Sequence, residues 1–343
     1  MTREHRISLL KMLPGLLISA FFLWWTFFRR DAHGARGFDP EAFHGLHFQE
    51  PVWIVGVLLA SVTGYSIRCY RWWSMLRSVR SKFSDCARVL MTSLAANNIL
   101  PLRVGDVMRV FTYADDLNAT PSIILSTVIL EKLLDVFSLA LLFVVTMHFG
   151  AGVAPRVKFG AELGVAISTV GLSVLVFGAR TLEGPVRKFF SKTKNARVAK
   201  LEHWLLLALE CIREIGVFGT LMLVVYSLAA WTCEGLLYLS AARLIGLPGD
   251  WVGPWQAVAE ANLSFLIPSS PGGIGPFELA CKDALIRHGV PAASGALFGL
   301  LMHAWLFVGI TGVGGGMFLL HRAHRALRKP LLEEIDTLPA ELP

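Results

Sequence analysis

Charged residues stand inside an apolar stretch of this chain, where a hydrocarbon environment would make them costly. In the run PSIILSTVILEKLLDVFSLALLFVV, which begins at Pro121, the residues Glu131, Lys132 and Asp135 follow about ten positions from the start, or about 15 Å along a helix. Charges at that depth in a membrane mark a functional site by default. Glu131 and Asp135 share one helix face, so the pattern predicts a buried polar site for protons or a charged headgroup.

Two further groups of polar residues lie in segments that interrupt apolar stretches. The first, NNILPLRVGDVMRV, spans 97–110, and the second, NLSFLIPSSPGGIGPFE, spans 262–278. Each contains Pro-x-x-x-Gly, at Pro101–Gly105 and Pro268–Gly272, about half the chain apart. Irregular backbone at membrane depth is tolerated only where protein buries it or where it lines a wet cavity, so the matched pair predicts a site. The alternative is that Pro and Gly only kink ordinary spans.

The first broken segment has the residue types of an anion site. Pro101 cannot continue a helix, and Gly105 followed by Asp106 can open a new one, whose first amides would attract an anion. Arg103 and Arg109 add guanidinium groups, which suit a phosphate bidentately. The alternative is that these arginines only pair with Asp106 or with neighbouring acids.

The second broken segment offers flexible backbone rather than cations. Either serine before the break could cap the helix that Pro276 begins, and three glycines allow the backbone to approach a ligand closely. The alternative is that the glycines only permit tight turns. The residues concerned are Ser269, Ser270, Gly272, Gly273 and Gly275, followed by Glu278.

Composition places the chain in a membrane. Hydrophobic residues make up 54% of its 343 positions and charged residues only 17%, which is unlike a soluble domain of this length. The net charge of +7 comes from Lys and Arg clusters that flank apolar spans, so we expect no nucleic-acid partner. The five scattered cysteines form neither a disulfide framework nor a metal site. Since no metal-binding or nucleotide motif is present, we expect no cofactor.

Six apolar stretches have the length and flanks of transmembrane helices. They are an uncleaved first stretch that ends at Phe28, then 51–70, 121–149, 160–179, 217–244 and 291–320. Two shorter stretches, 255–267 and 276–288, leave the total at six to eight. The positive-inside rule places the basic amphipathic segment 180–216 and the tail 331–343 in the cytoplasm, together with both termini.

We therefore predict an all-α polytopic membrane protein, with one integral membrane domain over residues 1–343 and two re-entrant or broken helical segments. Counting orientation through the spans puts these two segments on opposite faces of the membrane. Such an arrangement suggests an inverted repeat, with halves 1–150 and 151–330.

Three motifs together resemble the lysylphosphatidylglycerol synthase transmembrane family. NNILPLRVGDVMRV resembles its Asn-x-x-Leu-Pro-x-Arg-x-Gly-(Glu/Asp)-x-x-Arg stretch, EKLLD its (Glu)-Arg-x-x-Asp stretch, and LIPSSPGGIGPFE its Pro-x-x-x-Gly-Gly-x-Gly-x-x-Glu stretch. Lys132 stands where the family usually has arginine, and Asp106 where it usually has glutamate. Both charges are kept, but lysine and arginine recognise phosphate differently, so the headgroup preference is open.

The resemblance implies a flippase-like protein that moves a polar-headed lipid across or out of a bacterial-type inner (plasma) membrane. Two-domain members carry a soluble aminoacyl-transferase, whereas this chain stops about 23 residues after Leu320, so we expect no synthase activity. Stand-alone members are associated with hopanoid and polyprenyl-linked sugar pathways. The expected partners are therefore an anionic phospholipid, a hopanoid or a polyprenyl-linked lipid, together with a second copy of the chain or a lipid synthase.

The substrate site follows from both lines of reasoning. Arg103, Arg109 and Lys132 are predicted to hold a headgroup phosphate. Glu131, Asp135 and Glu278 are predicted to bind a cationic headgroup or to couple protons. The remaining predicted substrate-binding residues are Asn97, Asn98, Gly105, Asp106, Ser269, Ser270, Gly272, Gly273 and Gly275.

Two other classes of function are open. A membrane-embedded lipid-modifying enzyme could use Glu131 and Asp135 as acid and base, although the sequence contains no nucleophile pairing, metal spacing or nucleotide loop. We therefore expect that the chain is not an enzyme. A scaffold could instead dock a lipid or cell-envelope synthase through the basic segment 180–213.

Overall fold

A computed structural model describes residues 3–30, 34, 36–41, 48–149, 155–178, 182–190, 196–267 and 269–336. Within these ranges the chain is helical and forms no β-strand beyond one isolated bridge, which confirms the all-α prediction. The helices are α1 (Arg3–Phe28), α2 (Trp53–Met75), α3 (Phe83–Ile99), α4 (Val104–Phe111), α5 (Pro121–Phe149), α6 (Pro155–Gly178), α7 (Glu183–Phe190), α8 (Ala196–Leu244), α9 (Val252–Leu263), α10 (Pro276–Ile286) and α11 (Ala292–Asp336).

The long α8 combines two predicted segments. It bends at Gly216, whose backbone (φ 69°, ψ 178°) leaves the helical region, and glycine adopts such a positive φ without steric cost. The apolar span predicted from Val217 therefore begins directly after the bend. The basic segment predicted over 180–216 contains α7 and the first part of α8, while residues 180, 181 and 191–195 lie outside the described part of the chain.

Three stretches of the described helices are long and apolar enough to cross a membrane. They are Trp53–Met75, Arg213–Leu244 and Ala292–Leu327; Pro14–Phe28 is apolar but shorter. Their exposed sides carry large apolar side chains such as Leu59, Phe218 and Val308, which lipid tails can cover. The chain is thus suited to pass through a membrane several times, and the total of six to eight spans stays a prediction.

The first broken segment folds into a hairpin formed by α3 and α4. A 3₁₀ turn at Pro101–Arg103 reverses the chain, and Gly105 then packs so closely on the Ser93 carbonyl of α3 that a Cβ there would clash. Beyond α4, Asp116 lies 3.0 Å from Arg88 near the start of α3. This first hairpin therefore begins and ends at the same end of the bundle.

The second broken segment folds into a hairpin formed by α9 and α10. Residues 264–275 connect the two helices through two 3₁₀ turns, and Pro268 lies outside the described residues. At the other end, His288 Nδ1 after α10 is 2.8 Å from Asp250 Oδ2 before α9. The second hairpin also begins and ends at one end of the bundle.

Helix α11 shows that the two hairpins point in opposite directions. From its start towards its end, α11 contacts first the second hairpin and then the first hairpin. The pairs, in the order of α11, are Gly299 with Cys281, Phe307 with Gly272, Thr311 with Asn98, Gly314 with Met91 and Arg325 with Asp116. The base of the second hairpin therefore lies near the start of α11 and the base of the first near its other end. The opposite orientation of the breaks agrees with the sequence prediction, while the inverted repeat that it suggests stays a prediction.

The two hairpin tips meet between these bases. Arg103 Nη2 donates to the Phe265 carbonyl at 3.0 Å, and the Asn98 carbonyl lies beside Gly272. The second tip needs its glycines, because Gly272 and Gly275 have φ values of 73° and 102°, a region that disfavours other residues.

Helix α1 packs along the second hairpin. Ser19 Oγ accepts a hydrogen bond from the Ser270 amide at 2.9 Å, and Lys282 Nζ donates to the Thr26 carbonyl at 2.9 Å. The first helix thus supports the irregular backbone of the second tip.

Two adjacent glycines test the close packing of α3 on α11. A Cβ at Gly314 would clash with the Met91 carbonyl, whereas a Cβ at Gly315 would meet nothing within 4 Å. We expect Gly314→Ala to lower the free energy of unfolding by about 1–3 kcal/mol, because overpacking forces the helices to shift. Gly315→Ala should leave that free energy unchanged or raise it by up to about 1 kcal/mol, because alanine favours helix. Unfolding in detergent measures both, and equal effects would contradict the packing.

Candidate functional site

A buried ion pair joins the first hairpin to α5. Arg109 on α4 is fully enclosed, and its Nη1 and Nη2 donate to Glu131 Oε2 and Oε1 at 3.0 and 3.2 Å. The guanidinium also lies over the Trp72 ring, 4.8 Å from its centre. Nη1 and Nη2, the two groups with which an arginine binds a phosphate, are thus both bonded to Glu131. Arg109 therefore holds Glu131, as the alternative of pairing with neighbouring acids predicts, and a contact of Arg109 with a headgroup stays a prediction.

Lys132 and Asp106 complete a charge cluster, which consists of Asp106, Arg109, Glu131 and Lys132. Lys132 Nζ is 3.6 Å from Glu131 Oε1 and 3.7 Å from Asp106 Oδ2, while Arg109 Nη2 is 3.4 Å from Asp106 Oδ1. Two cations balance two carboxylates, so the cluster is neutral. The Lys132 side chain is 37% exposed and that of Arg109 is 0% exposed, so Lys132 is the cation of this cluster that a ligand could reach.

Asp135 lies one turn from Glu131 but belongs to a different ion pair. Arg71 Nη1 donates to Asp135 Oδ1 at 2.7 Å and to Ser227 Oγ at 2.6 Å, and Trp231 Nε1 donates to the same carboxylate at 3.2 Å. Asp135 thus ties α5 to α2 and α8 instead of facing Lys132.

Arg68 and Arg71 lie near the end of the predicted span 51–70, where basic residues were interpreted only as charges that flank a span. The helix continues to Met75, so both arginines lie within it, and Arg68 Nη1 is 3.1 Å from Glu234 Oε2. Their spacing of three residues was a usable signal, because it places both on one helix face.

One backbone amide at each break has a side chain of the protein as its acceptor. The Asp106 amide donates to Asn97 Oδ1 at 3.2 Å, and the Gly275 amide donates to Glu278 Oε2 at 2.6 Å. Side chains of the chain itself therefore satisfy one amide at each of these helix starts, as capping residues do.

The serines of the second segment do not cap α10. Gly275 precedes that helix, while the Ser270 amide donates to Ser19 of α1 and the Ser269 carbonyl packs against Gly15 of α1. The predicted cap role passes to Glu278. Its other oxygen, Oε1, lies 2.6 Å from His303 Nδ1, so Glu278 pairs with a histidine of α11 rather than with the charge cluster.

The remaining predicted residues shape the two tips. Asn98 Nδ2 donates to Thr311 Oγ1 at 3.2 Å, Gly105 allows α4 to approach α3, and Gly273 sits under the Phe265 ring. In the described part of the chain, no group of three or more His, Cys, Asp or Glu side chains could hold a metal ion.

Arg103 is the predicted cation that lies at the junction of the tips. Its side chain is exposed, and its backbone adopts the left-handed conformation (φ 53°, ψ 42°) at the start of α4. It forms no ion pair with any carboxylate among the described residues. Because the charge cluster one turn away is neutral, Arg103 gives this region a net positive charge.

The charge cluster yields a prediction about stability. Glu131→Gln would leave the buried Arg109 guanidinium with Asp106, at 3.4 Å, as its remaining carboxylate and the cluster with one uncompensated positive charge, so we expect the free energy of unfolding to fall by about 3–5 kcal/mol. Adding Arg109→Gln should restore part of that loss, because the uncompensated charge is removed. Asp85→Asn, which removes a half-exposed partner of Arg88, should cost at most about 1 kcal/mol. Chemical unfolding in detergent measures the series, and a Glu131→Gln loss no larger than that control would contradict the buried pair.

Comparison with known proteins agrees with these motifs. The family model described as lysylphosphatidylglycerol synthase TM region matches residues 12–314. The UPF0104 membrane protein MJ1078 of Methanocaldococcus jannaschii is 24% identical over 194 residues, which cover 54% of this chain and 76% of that protein. No solved structure matches the chain. Because the family model spans the hairpins, the charge cluster and the first half of α11, the chain belongs to the lysylphosphatidylglycerol synthase transmembrane-region family.

Proposed function

We propose that this protein moves a lipid with a phosphate-bearing polar headgroup across or out of the inner (plasma) membrane. The observation that carries the proposal is the meeting of two oppositely oriented hairpins at Arg103, beside a buried charge cluster. Membrane transporters commonly build their substrate sites from broken helices of opposite orientation near the middle of the bilayer.

The depth of the tips supports this reading. Phe307 and Thr311, which contact the two tips, lie near the middle of the 36-residue apolar stretch Ala292–Leu327. A headgroup that reached the tips would therefore be about equally far from both ends of α11. The acyl tails could stay in the bilayer, beside the exposed apolar sides of the helices.

Arg103 and Lys132 supply the headgroup contacts in this proposal. Both side chains are exposed enough to meet a ligand. Arg103 lies directly before α4, and Lys132 of α5 is 3.7 Å from Asp106 in the first turn of α4, so the two cations belong to elements that contact each other. Arg109 acts indirectly, because it fixes Glu131 and thereby the surroundings of Lys132. Because the charge cluster is neutral, the guanidinium of Arg103 is an additional positive charge, which favours an anionic headgroup.

We assign the end of the bundle near Asp116 to the cytoplasm. Basic residues concentrate there, both before α3 and at the end of α11, as the positive-inside rule requires of cytoplasmic loops. Burial raises the pKa of the Asp116 carboxyl, but hydrogen bonds from Arg88 and Arg325 outweigh it and hold the pKa below its usual value. This ionic contact therefore persists at neutral pH.

Transport can be measured with fluorescent phosphatidylglycerol in liposomes, by following the lipid that becomes accessible to a membrane-impermeant quencher. We expect Arg103→Ala to slow crossing by about tenfold or more, because a charge-assisted hydrogen bond contributes about 1.5–3 kcal/mol. Arg80→Ala is a matched control, since Arg80 is also exposed and also left-handed (φ 56°) but lies at the base of the first hairpin. Crossing no faster than in protein-free vesicles would refute the proposal.

The choice of lipid among anionic phospholipids, hopanoids and polyprenyl-linked lipids is open to a direct measurement. Mass spectrometry of lipids that co-purify with the protein should show a phosphate-bearing species enriched over the bulk membrane. Arg103→Ala should lower that enrichment, whereas Arg80→Ala should not, because only Arg103 lies at the tips. Enrichment of a phosphate-free lipid that both variants retain would contradict the assignment.

Catalysis is less well supported than transport. Glu131 and Asp135, which could act as acid and base, are each held by an arginine at 2.7–3.2 Å, so neither is arranged to exchange a proton with a substrate. Detection of a chemically altered lipid after incubation with purified protein would favour an enzyme. A docked synthase or a second copy of the chain, which we also propose as partners, would appear on co-purification.

A further inference from the structure

Arg103 is held differently from the arginines buried in the bundle. Arg68, Arg71 and Arg109 each bind a carboxylate at 2.7–3.1 Å. Arg103 instead donates to the neutral backbone carbonyl of Phe265 on the other hairpin, at 3.0 Å. A guanidinium bound only in this way still lacks a counter-charge, so an anion can compete for it with advantage.

The backbone at Arg103 is also unusual. Residues other than glycine rarely adopt a positive φ, and such conformations cluster at functional sites and switch regions because they carry a cost. Here the conformation directs the chain from the turn at Pro101 into α4. It places the cationic side chain across the gap between the tips, where Phe265 accepts its hydrogen bond.

We propose that Arg103 is a latch between the two hairpins, which a headgroup phosphate opens by taking the place of the Phe265 carbonyl. This inference rests on the transport function proposed above and adds how the substrate itself would trigger movement. A phosphate offers a guanidinium a full negative charge and two oxygens for a bidentate contact, whereas a backbone carbonyl offers one neutral acceptor. The exchange is therefore favourable, and it removes a bond that ties the hairpins together.

The surroundings of the latch allow the tips to part. On the second tip, Gly272, Gly273 and Gly275 can change conformation at low steric cost. On the first, α4 is fixed to α3 through Gly105 and to α5 through Arg109, so it forms the rigid partner. Release of Arg103 would remove the hydrogen bond between the tips, so that residues 264–267 and 269–275 can move as far as their contact with Ser19 of α1 allows, while the charge cluster stays in place.

Hydrogen exchange of the full-length protein tests the latch in a maltoside detergent, which contains no phosphate. We expect phosphatidylglycerol to speed amide exchange in residues 264–275 by about fivefold, the effect of losing one hydrogen bond. A glucosyl diacylglycerol without phosphate should leave that exchange unchanged. Inorganic phosphate forms a third arm: acceleration by it as well as by the lipid identifies phosphate itself as the trigger, and acceleration by the lipid alone identifies the headgroup.

Two variants complete the design. Arg103→Gln should show fast exchange in residues 264–275 before any lipid is added and no further response, while Arg80→Gln should behave like the wild type. The latch is overturned if Arg103→Gln keeps the wild-type protection, or if phosphatidylglycerol slows or does not alter exchange in the wild type. If Arg103→Ala loses transport but its amide exchange is unaltered, the latch is refuted and the transport function is not. If phosphatidylglycerol speeds amide exchange but no lipid is transported, only the transport function is refuted.

Discussion

The interior of this protein is organised by the need to neutralise charge away from water. This need is strongest at Arg109, because its guanidinium is fully enclosed and receives both of its short hydrogen-bond acceptors from Glu131. An unpaired charge in such surroundings would cost several kcal/mol. The pair therefore fixes how α4 lies against α5, and this in turn fixes the first hairpin and the position of Arg103 at its tip.

The same constraint acts on the backbone of the two breaks. The amides at a helix start inside the bundle need acceptors, and Asn97 and Glu278 each supply one, to Asp106 and to Gly275. These residues were expected to contact a substrate, but each completes the fold of its own hairpin. With these bonds, and with the support that α1 gives to the second tip, the bond between Arg103 and Phe265 is not needed to hold either hairpin together and is free to serve as a contact between them.

Local physics made much of this arrangement predictable. The glycine and proline residues of both segments predicted the two breaks. The bounds of α5 agree with the predicted span, because Pro121 favours a helix start. The four-residue spacing of Glu131 and Asp135 correctly placed both on one face. Pairing of Arg109 with a neighbouring acid was one of the alternatives, but the partner of Asp135 could not be predicted, because Arg71 is 64 residues away and a basic residue near a predicted span end is equally typical of a topology signal.

The two hairpins contribute unequal chemistry to their junction. The first supplies a guanidinium on a helix that is anchored by an ion pair, while the second supplies a backbone carbonyl on a glycine-rich turn. A fixed cation opposite a movable neutral acceptor is suited to exchange that acceptor for an anion, because the cation need not move when the ligand arrives. Had both tips carried cations, their repulsion would keep the tips apart without a ligand; had both carried only backbone groups, an anion would gain nothing by separating them.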